Sequence, residues 1–404
     1  MLQILRNRQL GYKNFIKSTA QIYFIEGIIA ILGILLTKTA INYLGVEGFG
    51  QMVLMYNAAT MCSIILAFGL KATLGVESLN KPSLTKIYPY FILYSAVLTL
   101  PITLTLFKYF FLFKGLEVLF IFVAAIGIAT GGITVSKYQF LGDIKKLIKN
   151  HIIFFLFPLV LTIVLYQNRI GTYWLRVLVY FPLIIYFLYL LKAGFRESNK
   201  LNHFKILLNS NLMMLVYSLA QWILANGDAY LINKFHESTD VGMYLIHYKV
   251  ASIISLITLP LLAVWNGYYT KYKRHSVNKN SYEKLSILVI ISIVLVAGFV
   301  YICFDYIYKY FDKFTVVEDM LKFWLVSGLT IYVLNTMLVP LLIWRKMFKE
   351  MMFGALLSAA LNLVLNTFML PQNSIGVSGF ITFLTYFTLT TLWLLMLFLR
   401  QKNI

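Results

Sequence analysis

Charge is what this sequence most lacks. Only 12% of its 404 residues are Asp, Glu, Lys or Arg, about half the share a soluble domain carries. With 60% hydrophobic residues and a mean hydropathy of +0.79, the chain cannot clothe itself in a watery surface, so lipid is its natural solvent. Cysteine is scarce as well. Cys62 and Cys303 lie inside apolar runs, in no metal or redox spacing, and read as small buried hydrophobes. There is no Gly-rich phosphate loop, no paired-carboxylate motif, no metal cluster and no nucleophile elbow. Neither a catalytic residue, nor a metal, nor a cofactor is therefore expected, and ATP hydrolysis is not expected of this chain. No cleavable leader is expected either: Arg6, Arg8, Lys13 and Lys17 precede a run from Ile22 that is longer than a signal core and reads as a retained anchor helix.

What is present is a succession of apolar runs. A helical span needs about 20 mostly apolar residues in a row, and twelve such runs can be read: 22–44, 49–72, 88–110, 116–138, 147–166, 173–192, 206–233, 241–270, 284–304, 320–344, 349–370 and 376–399. The expected class is an all-α integral membrane protein. Its loops are short, with no soluble domain or linker among them.

Acids are outnumbered, 15 to 35, and the net charge is +20. The basic residues gather in alternate loops, which marks topology and lipid-headgroup contact rather than nucleic-acid binding. The N-terminus, the even loops and the C-terminus hold 25 of the 35, whereas the odd loops and their flanks hold 8. The positive-inside rule then places both termini in the cytoplasm.

A weak repeat relates the two halves. At a constant offset of 192, Gly50, Tyr56, Ala59 and Thr60 correspond to Gly242, Tyr248, Ala251 and Ser252. Asn168-Arg169-Ile170-Gly171 echoes Asn373-Ser374-Ile375-Gly376. Two six-helix halves of like orientation imply a pseudo-twofold axis along the membrane normal, the plan of many alternating-access transporters. The expected division is an N-terminal lobe over 1–200 and a C-terminal lobe over 201–404.

Ionisable residues inside spans are costly and mark candidate sites. They are Glu26 and Lys38 in span one, Arg176 just inside span six, Asp228 in span seven, and His247 and Lys249 in span eight. Lys38, Lys249 and Arg176 form a candidate cationic patch, with Asp228 as charge partner of Lys249 or as a gate. Snorkelling to the headgroups is the alternative reading for Lys38 and the favoured one for Arg176. Glu26 either binds a coupling ion or pairs with a loop lysine, and His247 reads as buried and hydrogen-bonded. Amides crowd the spans at Gln21, Asn57, Asn211, Gln221, Asn226, Asn266, Asn335, Asn362 and Asn366; amides suit sugar hydroxyls, and interhelical bonding is the alternative that best explains Asn362 and Asn366. Tyr and Trp mostly mark the interfaces, although Tyr56, Tyr217, Trp222 and Tyr248 could stack on sugar rings. Pro101, Pro158, Pro182, Pro260 and Pro340 allow kinks.

Two segments, Lys38 through Gly50 and Asn362 through Gly379, resemble the O-antigen flippases (Wzx type) of the multidrug/oligosaccharidyl-lipid/polysaccharide exporter superfamily. Phe380-Ile381 departs from the Ala-Ala that the family often has there. The resemblance implies a V-shaped MATE-like bundle with a cavity between spans one, two, seven and eight. It implies a cargo of undecaprenyl-pyrophosphate-linked repeat units, moved across a bacterial inner membrane, with a polysaccharide polymerase and a chain-length regulator as partners. A multidrug antiporter of the same superfamily and a membrane O-antigen polymerase are the alternatives. The short loops speak against the polymerase.

Overall fold

The computed structural model describes residues 2–70, 89–90, 92–97, 100–101, 115–141, 144–194, 202–258, 261–262, 265, 279–312, 316–345 and 347–402, with side chains from Phe24 onward except at a few helix positions. Most of the expected third span, the end of the eighth, Pro260 and the Glu26 side chain lie outside the described residues.

Every extended element among the described residues is helical. α1 runs over Leu2–Ala67 and breaks at Gly45, whose φ of 72° and ψ of 176° are open to a residue without a Cβ. α2 is Gly115–Leu141, α3 Ile144–His151 and α4 Phe157–Gln167. A single π turn over Ile152–Leu156 joins α3 to α4, and Pro158 sits in the first turn of α4, where its missing N–H costs nothing. α5 is the short Leu175–Leu178 and α6 is Pro182–Gly194, started by its proline. α7 is Asn202–Phe235, α8 Ser238–Ala251, α9 Lys279–Phe311, α10 Asp319–Trp344, α11 Phe348–Met369 and α12 Gly376–Lys402. Pro340 lies inside α10.

Nine stretches of described helix are long and apolar enough to cross a membrane. α3 and α4 make one of them, α5 and α6 another. Their outer faces show why lipid is required. On α9, Leu288, Leu295, Phe299, Ile302 and Tyr306 form an exposed apolar stripe, while Ile293, Val300, Phe304 and Tyr308 on the other face are fully buried. In water such a stripe would be a standing association site. In hydrocarbon it is an ordinary outer wall, with all backbone groups satisfied inside the helix.

Most packing partners lie within the same half of the chain, often not consecutive in it. α1 packs on α2, α4 and α5, and α2 on α6. α7 packs on α11, α10 on α12, α11 on α12, and α9 on α8 and α10. α1 also meets α7, α8 and α9, joining the first half of the chain to the second.

Candidate functional site

The odd-numbered turns meet at one end of the bundle, as their shared sidedness requires. The Tyr43 hydroxyl donates to the carbonyls of Arg169 at 2.9 Å and Gly171 at 3.0 Å. Tyr173 donates to Glu117 at 2.5 Å, and that bond, with burial second, pushes the phenol up to about 12. The His236 ring contacts the Leu370 carbonyl at 3.0 Å, and Ser374 donates to Glu318 at 3.0 Å.

At this end the repeat residues behave alike. A Cβ built on Gly50 would stand 3.0 Å from the Gly242 nitrogen, and one on Gly242 would run into the Val46 carbonyl. Only glycine lets the two backbones come so near. Thr60 donates to the Asn57 carbonyl at 2.7 Å, and Ser252 donates to the Lys249 carbonyl at 2.8 Å. Asn168 donates to Val164 and Asn373 to Met369, both at 2.8 Å, so each asparagine closes the helix that precedes it.

Lys38 stands at this seam. Its ammonium donates to the carbonyls of Tyr310 and, at 3.5 Å, Phe311, and lies 5.1 Å from the Tyr310 ring centroid. These are the last carbonyls of α9, where unmet acceptors and the helix dipole attract a cation. Lys38 thus links the two halves here and does not reach toward lipid headgroups.

The other two candidate cations lie together and apart from Lys38. Arg176 is only 8% exposed, its guanidinium 4.6 Å from the Tyr56 ring centroid and 5.6 Å from that of Tyr180. The break between α5 and α6 puts it there, and the snorkelling reading does not hold. Its Nη1 has no partner among the described residues. Lys249 keeps accessible surface although protein surrounds it, which places it on an internal cleft, and Arg176 is the like charge it feels. Neither cation has an ion-pair partner among the described residues. Asn57 is the repeat counterpart of Lys249, and its carbonyl receives Thr60 and, at 3.1 Å, the Trp222 indole.

Asp228 is 2% exposed and fully engaged, but not by a cation. It accepts hydrogen bonds from Tyr244 at 2.8 Å, Asn362 at 2.9 Å, Asn366 at 2.8 Å, and Thr382. Ser378 donates to the other end of Asn366 at 3.1 Å. The expectation that Asp228 compensates Lys249 is therefore corrected: four neutral donors hold the carboxylate inside the second half. Asn362 and Asn366 are interhelical glue, as their positions suggested, and the carboxylate is what they bind. His247 is fully buried. Its Nε2 accepts from the Glu318 backbone N–H at 3.2 Å, so its Nδ1–H donates to the Met243 carbonyl at 2.8 Å and the ring is neutral.

α1, α7, α10 and α12 line an open cavity of about 390 Å³. Its walls include Tyr217, Trp222, Tyr332 and Trp393, with Gln221 and Ser218 between them. Trp222 is held in place by Asn57 and by Thr60 Oγ1 at 3.1 Å. Tyr180, Tyr332, Trp393, Thr382 and Tyr244 were not singled out in the sequence. The aromatic residues look like interfacial ones there, and nothing in their spacing distinguishes them.

No family profile matches the chain, and no curated protein matches it by sequence. Solved structures match its fold. An inward-facing multidrug resistance MATE family transporter of the MOP superfamily superposes with a TM-score of 0.51 at 12% identity, covering 93% of this chain and 96% of its own. A MATE in complex with MaD3S superposes with a TM-score of 0.51 at 14% identity, covering 96% and 97%. At such identity the likeness is one of fold, and over nearly its whole length this chain has the fold of the MATE transporters.

Proposed function

We propose that the protein is a lipid-linked oligosaccharide flippase that moves undecaprenyl-pyrophosphate-linked repeat units by alternating access. The observation that carries this reading is the Arg176 and Lys249 pair, two unneutralised cations, Arg176 set on tyrosines and Lys249 opening on a cleft. Their purpose would be to receive an anion, and pyrophosphate is the anion such a cargo brings. In this reading Asn57 lies with them on the cargo path, Lys38 closes the end of the bundle where the odd turns meet, and Asp228 is the gate or coupling group. Glu26 is the second coupling candidate.

The twelve-span, two-lobed plan belongs to the same proposal. The stretch Gly27–Ala67 has 41 residues, roughly 60 Å of helix against a hydrocarbon core of about 30 Å. Broken at Gly45, it supplies two crossings. α7, with 34 residues, supplies another despite its amides, and the run 88–110 would complete the set. The lobes would be 1–200 and 201–404, in the inner membrane with both termini cytoplasmic, beside a polymerase and a chain-length regulator.

The fold serves a multidrug antiporter equally well, and the buried Asp228 could serve a cationic drug. The charge at the cleft favours the anion. Complementation of a flippase-deficient strain tests the proposal: Lys249→Ala and Lys249→Glu should abolish surface glycan at normal protein levels, with Lys249→Arg retaining some. Full export by Lys249→Ala would remove the cation site from the mechanism. A deletion strain that still displays single repeat units on its surface would mark a polymerase.

A further inference from the structure

We propose that the 390 Å³ cavity between α1, α7, α10 and α12 is a subsite for an uncharged sugar ring of the cargo, separate from the cation pair that would receive its pyrophosphate. This inference rests on the flippase reading and adds to it the place and chemistry of glycan recognition.

The cavity is within the range of ligand sites, roughly 300–1,000 Å³. None of the described residues that line it carries a charge. An anion would find no cation there, and a cation no carboxylate. What the walls offer is ring faces and hydroxyls: Tyr217, Trp222, Tyr332 and Trp393, with Ser218 and Gln221. Flat aromatic faces match the C–H faces of a pyranose, and an amide both donates and accepts at its hydroxyls. A hydrocarbon tail would fit the rings but would leave the amide unmet. That amide is already short of a partner, because Gln221 Nε2 is buried beneath the wall with none among the described residues, and the side chain must turn outward for it to meet a ligand oxygen. A buried donor left unpaired is unfavourable, so a ligand that accepts from it gains affinity.

The walls are held in place before any ligand arrives. The Trp222 indole is bonded to the Asn57 carbonyl and to Thr60 Oγ1, both at 3.1 Å, and its ring lies 5.5 Å from Tyr230. Tyr217 lies 6.4 Å from Trp393. The same stretch of α1 serves both sites: Tyr56 supports Arg176, and Ile64 faces the cavity. Eight helical residues separate them, about 12 Å along the axis, so one extended cargo would reach from the cations to the rings.

The test uses the full chain in lipid nanodiscs and two probes, a short-chain prenyl pyrophosphate and the same lipid carrying a neutral disaccharide. The glycosylated probe should bind about tenfold tighter. Gln221→Leu and Tyr332→Ala should each cut that advantage to about threefold or less and leave the bare lipid unchanged. Tyr332→Phe, which keeps the ring, should preserve it and serves as the folding control. Equal affinity of the two probes for the wild type, or an advantage untouched by Gln221→Leu and Tyr332→Ala, overturns the subsite while pyrophosphate binding leaves the flippase reading standing. If neither lipid binds and tetraphenylphosphonium does, the flippase reading falls and the subsite falls with it.

Discussion

Asp228 shows how one residue type acquires different meanings inside a membrane. A buried carboxylate is expensive unless its charge is met. Here Tyr244, Asn362, Asn366 and Thr382 meet it from three other helices. None of them is charged, so among the described residues no cation meets this carboxyl group, which a proton or small cation could neutralise. Asp228→Asn keeps the shape but turns one acceptor into a donor facing the donors already there. Under the proposed function, the expected outcome is a protein that reaches the membrane at normal levels, by quantitative immunoblot, and has lost at least tenfold in surface glycan. Near-wild-type transport by that variant would exclude coupling through Asp228. Lys249 differs in kind, because protein surrounds it and nothing described pairs with it.

At the scale of elements, the contact between α1 and α8 is built on the absence of side chains. Gly50 and Gly242 let two backbones touch at the seam between the halves, and small residues at helix contacts are how packing is won where lipid is as apolar as the protein. Gly242→Ala must move the helices apart, with a cost of about 1–3 kcal/mol as for other overpacked sites. Gly298→Ala, with nothing near its Cβ, should be neutral. Thermal denaturation in detergent should therefore separate the two variants clearly, and equal melting would show that the close approach is unimportant. Lys38 secures the same seam by capping α9. Lys38→Met should loosen it, so that a cysteine introduced at Gln51 reacts several-fold faster with an impermeant maleimide, while Lys38→Arg should keep the reactivity low. No change in labelling would assign Lys38 to another role.

For the whole molecule, the alternation of basic loops predicts which end faces which compartment. The turns at 43–50, 166–173, 233–241 and 370–376, with Glu318, come together through Tyr43, His236 and Glu318. Arg400 pairs with Glu350 at 3.2 Å away from them. Reporter fusions in 170–172 should read periplasmic and fusions in 145–149 cytoplasmic. The opposite pattern would reverse the direction of transport and remove the charge argument.

Composition by itself determined that this chain lives in lipid, that it is helical, and which turns share an end. Those properties depend on the solvent around each helix and on the translocation of loop charges, and both act on local sequence. The repeat was legible in Gly50 and Gly242, because a backbone contact leaves a residue no substitute. Partnership was decided only by the tertiary structure. These helices are apolar nearly all round, so no periodic stripe separates the face that meets protein from the face that meets lipid. Lys38, Arg176 and Lys249 look alike in sequence, yet one caps a helix, one lies buried on tyrosines and one opens on a cleft. Likewise Ile64, Trp222, Tyr332 and Trp393 share a cavity only because four helices distant in sequence converge, and the meeting of helix faces is a long-range outcome of packing that local sequence does not encode.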